Sequence, residues 1–390
     1  MTTLVDPTLP AYFSEPDLAL EPLERACSEE VKLSSYPLAS DVQKKIVIYE
    51  AEELEPHLDG AEQETKLRAE LAGVLRDGPG VYVIRGAYAD TAVIDKSTEL
   101  FKQIVADEKA VGTGKGDHFG TNERIWNALQ KVGERSPETF LDYYVNPFLA
   151  LACESWLGPF YQITAQMNTV KPGGAPQAAH RDYHLGFQSG EVIAEFPVHA
   201  QMMSQYLTLQ GAVVHSDMPL KTGPTRFLPF SQKVPAGYLS FLRDESKAYF
   251  EANHVQLPLE KGDLVFFSPA LMHGAGSNQS DGDRIANLVQ ISSAFGRPME
   301  TVNRLTLVKS VYKVLRQRYQ SGALSQRELR NVVAATADGY SFPTNLDADP
   351  PTGGNAPETA QQMLRRAVGQ GASQAELEAE LLAYAGRRQA

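Results

Sequence analysis

The chain has 390 residues, of which 43% are hydrophobic and 22% charged, and its formal net charge is −12. This composition is typical of a globular protein with a sizeable core, and the acidic balance argues against nucleic acid or an anionic membrane as the main partner. Two cysteines exclude a disulfide framework, and no run of about twenty apolar residues predicts a membrane span. Residues 1–7 lack the basic and apolar regions of a secretory signal, so we expect a cytoplasmic protein.

Apolar residues at helical spacing predict several helices on either side of a central run of strands. The helix over residues 62–77 ends at Gly78-Pro79-Gly80, and a strand follows over residues 81–84. Strands are predicted to dominate between residues 161 and 293. The predicted helices span residues 62–77, 91–110, 136–157 and 301–320, and two more begin at the capping boxes of Ser325 and Ser373.

Three segments are predicted to lack regular structure. Residues 1–45 are rich in proline and acidic residues and are expected to wrap the surface. The glycine-rich segment 112–120 lacks the spacing of a P-loop, so we interpret it as a flexible loop that could act as a lid. Residues 342–354, rich in proline, aspartate and glycine, are predicted to form a linker or an irregular arm.

The most informative residues of the chain are His180, Asp182 and His273. His180 and Asp182 are two positions apart, so in an extended segment their side chains point the same way and can reach one ion. His273 follows a predicted buried strand over residues 264–267 and is next to small residues, which leave room for a metal. Two imidazoles and one carboxylate can occupy one face of an octahedral Fe(II) and leave three positions open. We therefore predict that these three residues bind a metal and are catalytic, although an HxD tripeptide alone also arises by chance.

Arg284, eleven positions after His273, begins a strand-like run that extends to residue 292. A guanidinium that points inward from a strand needs an anionic partner, because burying it unpaired is costly. Its planar fork suits a carboxylate, so Arg284 is predicted to bind a dicarboxylate cosubstrate. The alternative is an exposed loop arginine beside Asp281 and Asp283.

Five motifs follow one another along the chain, namely Lys171-Pro172-Gly173, His180-Arg181-Asp182, the segment 222–231, Gly262-Asp263, and His273 with Arg284. In this order they resemble the motifs of the phytanoyl-CoA dioxygenase family of Fe(II)- and 2-oxoglutarate-dependent oxygenases. The resemblance covers roughly residues 70–297. The chain departs from the family pattern at Phe230 and Gln232, where the family usually has the glycine and the histidine of a PGSH-like sequence.

The resemblance implies a mostly β core with flanking helices. The expected core is a double-stranded β-helix, that is, a jelly roll of the cupin type, with N-terminal and C-terminal helices around it. We predict an N-terminal arm over residues 1–60, the jelly-roll domain over 61–298 and a helical extension over 299–390. The C-terminal helices are expected to pack on the barrel, and covering the active site or forming a homodimer are the alternatives.

The resemblance also implies an enzyme that uses Fe(II), 2-oxoglutarate and O2. Such an enzyme hydroxylates an unactivated C–H bond of a small organic substrate (an acyl-CoA, an acid or a natural product) and releases succinate and CO2. Arg284 would pair with the far carboxylate of 2-oxoglutarate. Met167 and Thr169 match family positions that touch this cosubstrate, with core packing as the alternative for Met167. Asp182 favours hydroxylation, since related halogenases lack this carboxylate.

Some roles stay open on the sequence alone. A cupin-type metal-binding protein or isomerase without 2-oxoglutarate turnover is the alternative function. His184 could bind iron directly, but we expect it to orient Asp182. Asn122, Arg124 and Trp126 are candidate pocket residues by position only. The remaining histidines are predicted to be structural or exposed, namely His57, His118, His199, His215 and His254.

Overall fold

An eight-stranded sheet and a two-stranded sheet form the centre of the structure. The computed structural model describes residues 9–113, 122–340, 345–351, 353 and 355–389. The strands are β1 (Asp41–Gln43), β2 (Ile46–Glu50), β3 (Val81–Arg85), β4 (Glu123–Ile125), β5 (Gln162–Val170), β6 (Thr208–Val214), β7 (Arg226–Phe227), β8 (Leu264–Phe267), β9 (His273–Gly274) and β10 (Arg284–Ser292). In the large sheet the strands follow the order β1-β2-β3-β8-β6-β10-β5-β4, and β7 pairs with β9 in the small sheet.

Helices surround this β core and contain more residues than the strands do, with 47% of the structure helical and 15% in strands. Within the part of the chain that the structure describes, no helix is long and apolar enough to cross a membrane. The helices are α1 (Glu21–Cys27), α2 (Ala51–Leu54), α3 (Ala61–Arg76), α4 (Ala92–Ala110), α5 (Ala128–Arg135), α6 (Pro137–Tyr144), α7 (Pro147–Leu157), α8 (Gly190–Ala194), α9 (Val198–Ser204), α10 (Gly237–Ser240), α11 (Asp244–Asn253), α12 (Arg304–Gln320), α13 (Gln326–Thr336), α14 (Ala360–Gln370) and α15 (Gln374–Arg387).

The two sheets face each other across a small hydrophobic core, so the expected double-stranded β-helix is confirmed. All neighbouring strands of the large sheet are antiparallel except β2 and β3. Phe227 of the small sheet meets Phe267 of the large one edge-on, with ring centroids 4.9 Å apart. Because side chains alternate along a strand, the inner face of the large sheet points to the small sheet and the outer face packs on helices.

The main predicted elements agree with the structure, with one correction among the helices. Helix α3 and strand β3 correspond to the predicted segments 62–77 and 81–84, and the capping boxes at Ser325 and Ser373 are both formed. The prediction of a single helix over residues 136–157 is wrong, because the structure has two helices there. Pro147 begins the second one, since a proline lacks the N–H that a helix interior requires, and the Asn146 side chain caps it.

Several elements were not predicted. Helices α8 to α11 interrupt the region expected to be mostly strands. Helix α14 begins at a capping box of Thr359 and Gln362 that the sequence already displays. The predicted arm over residues 1–60 contributes β1 and β2 to the large sheet. Most of the predicted lid loop, with His118, and part of the predicted linker lie outside the described residues.

The C-terminal helices pack on the rest of the molecule. Helix α12 contacts α5 and α6, and α13 contacts α6, α7 and β5. Their apolar residues belong to the same hydrophobic core as the outer face of the large sheet. This arrangement agrees with packing on the barrel, whereas the domain boundaries and the homodimer stay predictions.

A buried histidine joins two helices to the sheet. His215 directly follows β6, and its side chain meets the Thr98 hydroxyl at 2.9 Å through Nδ1 and the Tyr143 hydroxyl at 2.8 Å through Nε2. Thr98 belongs to α4 and Tyr143 to α6. Burial lowers the pKa of His215 to about 3, so the imidazole is neutral at physiological pH.

We predict that His215 makes the protein less stable in mild acid. In the unfolded chain a histidine binds a proton with a pKa near 6.5, whereas folded His215 does so only at about 3. Below pH 6.5 the unfolded state therefore binds more protons, and stability falls by roughly 2 kcal/mol between pH 7.5 and 5. Urea unfolding at both pH values should show a loss that is roughly 2 kcal/mol larger in the wild type than in His215→Gln, which lacks this group.

The exposed His199→Gln serves as the control and should behave as the wild type does. If the wild type and His215→Gln lost the same free energy of unfolding between the two pH values, the assigned pKa would be wrong.

Candidate metal centre

Backbone pairing brings the three predicted ligands together. His180 and His273 exchange two hydrogen bonds, with N···O distances of 2.9 and 3.0 Å, and the amide of Asp182 donates to the carbonyl of Pro269 at 2.9 Å. His180 and Asp182 therefore both pair with the segment that leads into β9, and their side chains lie on the same side. One ligand atom from each of the three residues lies within 4.8 Å of the others.

The orientation of the imidazoles leaves a lone pair on each for a metal. Oδ2 of Asp182 lies 3.6 Å from Nε2 of His273 and 3.9 Å from Nε2 of His180. Nδ1 of His180 lies 2.9 Å from the carbonyl of Ala178, and Nδ1 of His273 lies 2.8 Å from that of Leu271. Because a carbonyl only accepts, each Nδ1 carries the proton and each Nε2 is free to coordinate.

Burial and charge give the triad the protonation states that a metal requires. Burial, together with the nearby His273, lowers the pKa of His180 and keeps it neutral. Burial alone would raise the pKa of Asp182, but the two neighbouring histidines and a hydrogen bond from Gln210 lower it to about 2. Nε2 of His273 is buried and has no hydrogen-bond partner among the described residues. Such an unpartnered nitrogen fits a metal ligand.

Gln210 holds the carboxylate of the triad in place and was not predicted from the sequence. Its Nε2 donates to Oδ2 of Asp182 at 2.8 Å. Gln210 lies on β6, where the inward positions alternate with outward ones and include Ala212 and Val214. This alternation could have identified Gln210 as an inward polar residue once the face of the strand was known.

The triad opens into a cavity between the two sheets, about 870 Å³ in volume with its open mouth included. Its polar wall is formed by side chains that were not predicted as ligands, such as Asn168, Gln177 and Gln290. Arg124, one of three residues that we proposed for the pocket by position, also lines it, whereas Asn122 and Trp126 do not. The cavity thus combines a metal-ligand set with hydrogen-bonding groups.

Arg284 lines the same cavity and is almost fully buried, with 6% of its surface exposed. Its Nη1 donates to the carbonyls of Thr222 and Gly276, each at 3.0 Å. No carboxylate of the described chain forms an ion pair with it. Burial lowers its pKa to about 10, so it stays charged at neutral pH. The alternative of an exposed loop arginine is therefore wrong, and the guanidinium is available to an anionic ligand.

The structure does not bring Met167 and Thr169 to the triad, which corrects the position expected for them. In β5, Asn168 pairs with Ala286 of β10, and both line the triad cavity. Met167 and Thr169 point to the opposite face and line a separate cavity against α4. Counting back from Lys171-Pro172 gives the positions of Met167 and Thr169 along the strand. It does not show on which face of the sheet their side chains lie.

His184 does not take the role expected for it. Its Nε2 is buried without a hydrogen-bond partner, and no hydrogen bond within the described part of the chain joins it to Asp182. The backbone carbonyl of Asp182 instead accepts a hydrogen bond from the hydroxyl of Tyr238 at 2.9 Å. The side chain and the backbone of Asp182 are therefore held from two sides, by Gln210 and by Tyr238.

The chain is similar to solved structures over part of its length. The epimerase SnoN from nogalamycin biosynthesis, described as non-heme and alpha ketoglutarate dependent, shares 18% identity over 59% of this chain and 84% of its own, with a TM-score of 0.40. HygX from Streptomyces hygroscopicus, solved with nickel and 2-oxoglutarate, shares 13% identity over 58% of this chain and 88% of its own, with a TM-score of 0.41. No curated protein matches the chain.

The sequence model of phytanoyl-CoA dioxygenase (PhyH) matches residues 77–286, which is more than half of the chain and includes the triad and Arg284. The protein therefore belongs to the phytanoyl-CoA dioxygenase family.

Proposed function

We propose that this protein is an Fe(II)- and 2-oxoglutarate-dependent dioxygenase that hydroxylates an unactivated C–H bond of a small organic substrate. Fe(II) and 2-oxoglutarate are the cofactors of its family. The observation that carries the proposal is that one cavity contains both the triad and the buried guanidinium of Arg284. The products from the cosubstrate would be succinate and CO2.

His180, Asp182 and His273 would hold the metal ion. Their donor set of two imidazoles and one carboxylate suits Fe(II) with open positions, and the unpartnered Nε2 of His273 supports this fit. The bound metal and 2-oxoglutarate supply the oxidising chemistry when O2 is present. With Asp182 as a ligand, the metal would lack the position that related halogenases use for a halide, which favours hydroxylation over halogenation.

The other residues of the cavity bind, orient and exclude water. Arg284 would bind the far carboxylate of 2-oxoglutarate through its unused donors. Gln210 fixes the rotamer of Asp182, as partners of metal ligands commonly do. Apolar side chains such as Val265, Phe267 and Leu288 line the same space and keep water from the reacting centre.

A cupin-type metal-binding protein or an isomerase without 2-oxoglutarate turnover is the alternative. Either function could use the triad, but neither needs a buried cation without a carboxylate partner in the same cavity. The presence of Arg284 therefore favours the oxygenase. The cytoplasmic location stays a prediction.

The direct test is anaerobic addition of Fe(II) and 2-oxoglutarate to the protein. We expect the weak visible charge-transfer absorption of a chelated keto acid, because the triad leaves adjacent coordination positions open. His180→Ala should lose this absorption, whereas the exposed His199→Ala should retain it. A wild type without the absorption, or an undiminished absorption in His180→Ala, would refute the proposal. Succinate formation with a panel of metabolites then identifies the substrate.

We predict that Arg284→Met weakens 2-oxoglutarate binding about 30- to 1,000-fold. The change removes a charge-assisted contact to a carboxylate, worth roughly 2–4 kcal/mol, while it keeps the side-chain volume similar. Titration of the anaerobic absorption with 2-oxoglutarate measures the effect. Lys221→Met removes a nearby exposed cation and should leave the affinity unchanged. Equal affinities in Arg284→Met and the wild type would mean that the cosubstrate is bound elsewhere.

We also predict that Gln210→Met lowers metal affinity by about 10- to 100-fold, because Asp182 loses the hydrogen bond that orients it. Gln290→Met is the matched control, since Gln290 lines the same cavity but bonds to Gln166 and not to Asp182. Equilibrium titration of the metal-free protein with Co(II) gives both affinities. A similar loss in the two variants would show that Gln210 has no specific role.

A further inference from the structure

A second pocket, separate from the triad cavity, has a strongly basic wall. It lies between the end of α3, helix α9 and residues 232–238, and its volume is about 590 Å³ with the mouth included. Three cationic side chains line it, and none of the lining residues is acidic. We call it the basic pocket, and its polar lining includes Arg76, Arg181, Lys233, Gln201, Gln205 and Tyr206.

Arg181 at the base of the basic pocket is the strongest indication of a ligand. Only 1% of its surface is exposed. Its Nη2 donates to the carbonyl of Ser231, its guanidinium lies 5.7 Å from the ring centroid of Tyr238, and its Nε has no hydrogen-bond partner in the described residues. Across those same residues no carboxylate forms an ion pair with Arg181. A buried guanidinium with no counter-charge is costly and therefore favours an anion.

The fold makes room for this guanidinium. A Cβ at Gly237 would lie 1.9 Å from Nη1 of Arg181, so a larger residue at position 237 would displace the side chain. The other two cations are held at the mouth. Arg76 pairs with Asp77 at 2.7 Å and Lys233 pairs with Glu29 at 2.7 Å, and both carboxylates lie outside the pocket lining.

We propose that the basic pocket binds a phosphoryl group, either as free phosphate or as the terminal phosphate of a larger metabolite. Three cations around one small space suit a dianionic oxyanion better than a single carboxylate, and a guanidinium fork matches its oxygens. The amide of Gln205 and the phenol of Tyr206 add hydrogen-bond donors of the kind that complete an oxyanion site. The amide nitrogen of Gln201 donates instead to the carbonyls of Ile193 and Phe196.

The basic pocket lies directly behind the metal centre. Arg181 stands between His180 and Asp182 in the chain, and its side chain contacts the ring of Tyr238. The Tyr238 hydroxyl donates to the carbonyl of Asp182. The basic pocket and the triad are therefore two sides of one short segment, but binding of phosphate requires no metal and does not depend on the proposed oxygenase activity.

Calorimetric titration of the full-length protein with inorganic phosphate, and separately with phenyl phosphate, tests the proposal at constant ionic strength set by NaCl. We expect one saturable site for each chain. The double variant Arg76→Gln/Lys233→Gln should weaken binding at least tenfold. If phenyl phosphate binds much more tightly than phosphate, the natural ligand is a phosphorylated metabolite, and similar affinities indicate free phosphate.

The control double variant is Arg135→Gln/Lys261→Gln. The Arg135 side chain is 52% exposed and that of Arg76 is 54% exposed. The Lys261 side chain is 31% exposed and that of Lys233 is 29% exposed, and all four residues form ion pairs. This control should bind phosphate as the wild type does. Three results would overturn the proposal: no saturable binding, equal weakening in the two double variants, or loss of binding in Arg284→Met with retention in the pocket variant.

Discussion

The metal centre depends on one backbone interaction, the pairing of His180 with His273. These two residues are far apart in the chain, and two hydrogen bonds between their backbones bring them opposite each other. Once they pair, the alternation of an extended segment places Asp182 on the same side as His180. Pairing of Asp182 with Pro269 and the hydrogen bonds from Gln210 and Tyr238 then hold the carboxylate in position.

The large sheet separates two kinds of environment. Its inner face contributes polar side chains to the triad cavity, and its outer face packs on helices through an apolar core that includes the C-terminal helices. Two buried arginines without carboxylate partners among the described residues, Arg284 and Arg181, lie on either side of the triad segment. Because a buried charge is costly unless it is compensated, we propose an anionic ligand for each of them.

The sequence predicted the triad and Arg284 because ligand chemistry and chain spacing restrict these residues to few arrangements. Prediction from the sequence failed for side chains whose position depends on tertiary contacts. The face of β5 follows from its pairing with β10, so Met167 and Thr169 were expected in the wrong cavity. Gln210 and Arg181 carry no local pattern, since an inward amide and a buried guanidinium become visible only when the fold places them. Pro147, by contrast, is visible in the sequence, and it could have predicted the break in the helix expected over residues 136–157.

We propose that His180, Asp182 and His273 hold one Fe(II) whose open positions accept 2-oxoglutarate. X-ray absorption spectroscopy of the anaerobic Fe(II)-loaded protein can test this, because it reports the atoms bound to the metal. We predict the scattering pattern of two imidazoles with oxygen donors, and a change in the oxygen shell when 2-oxoglutarate is added. A spectrum without imidazole scattering, or one that 2-oxoglutarate leaves unchanged, would contradict the claim.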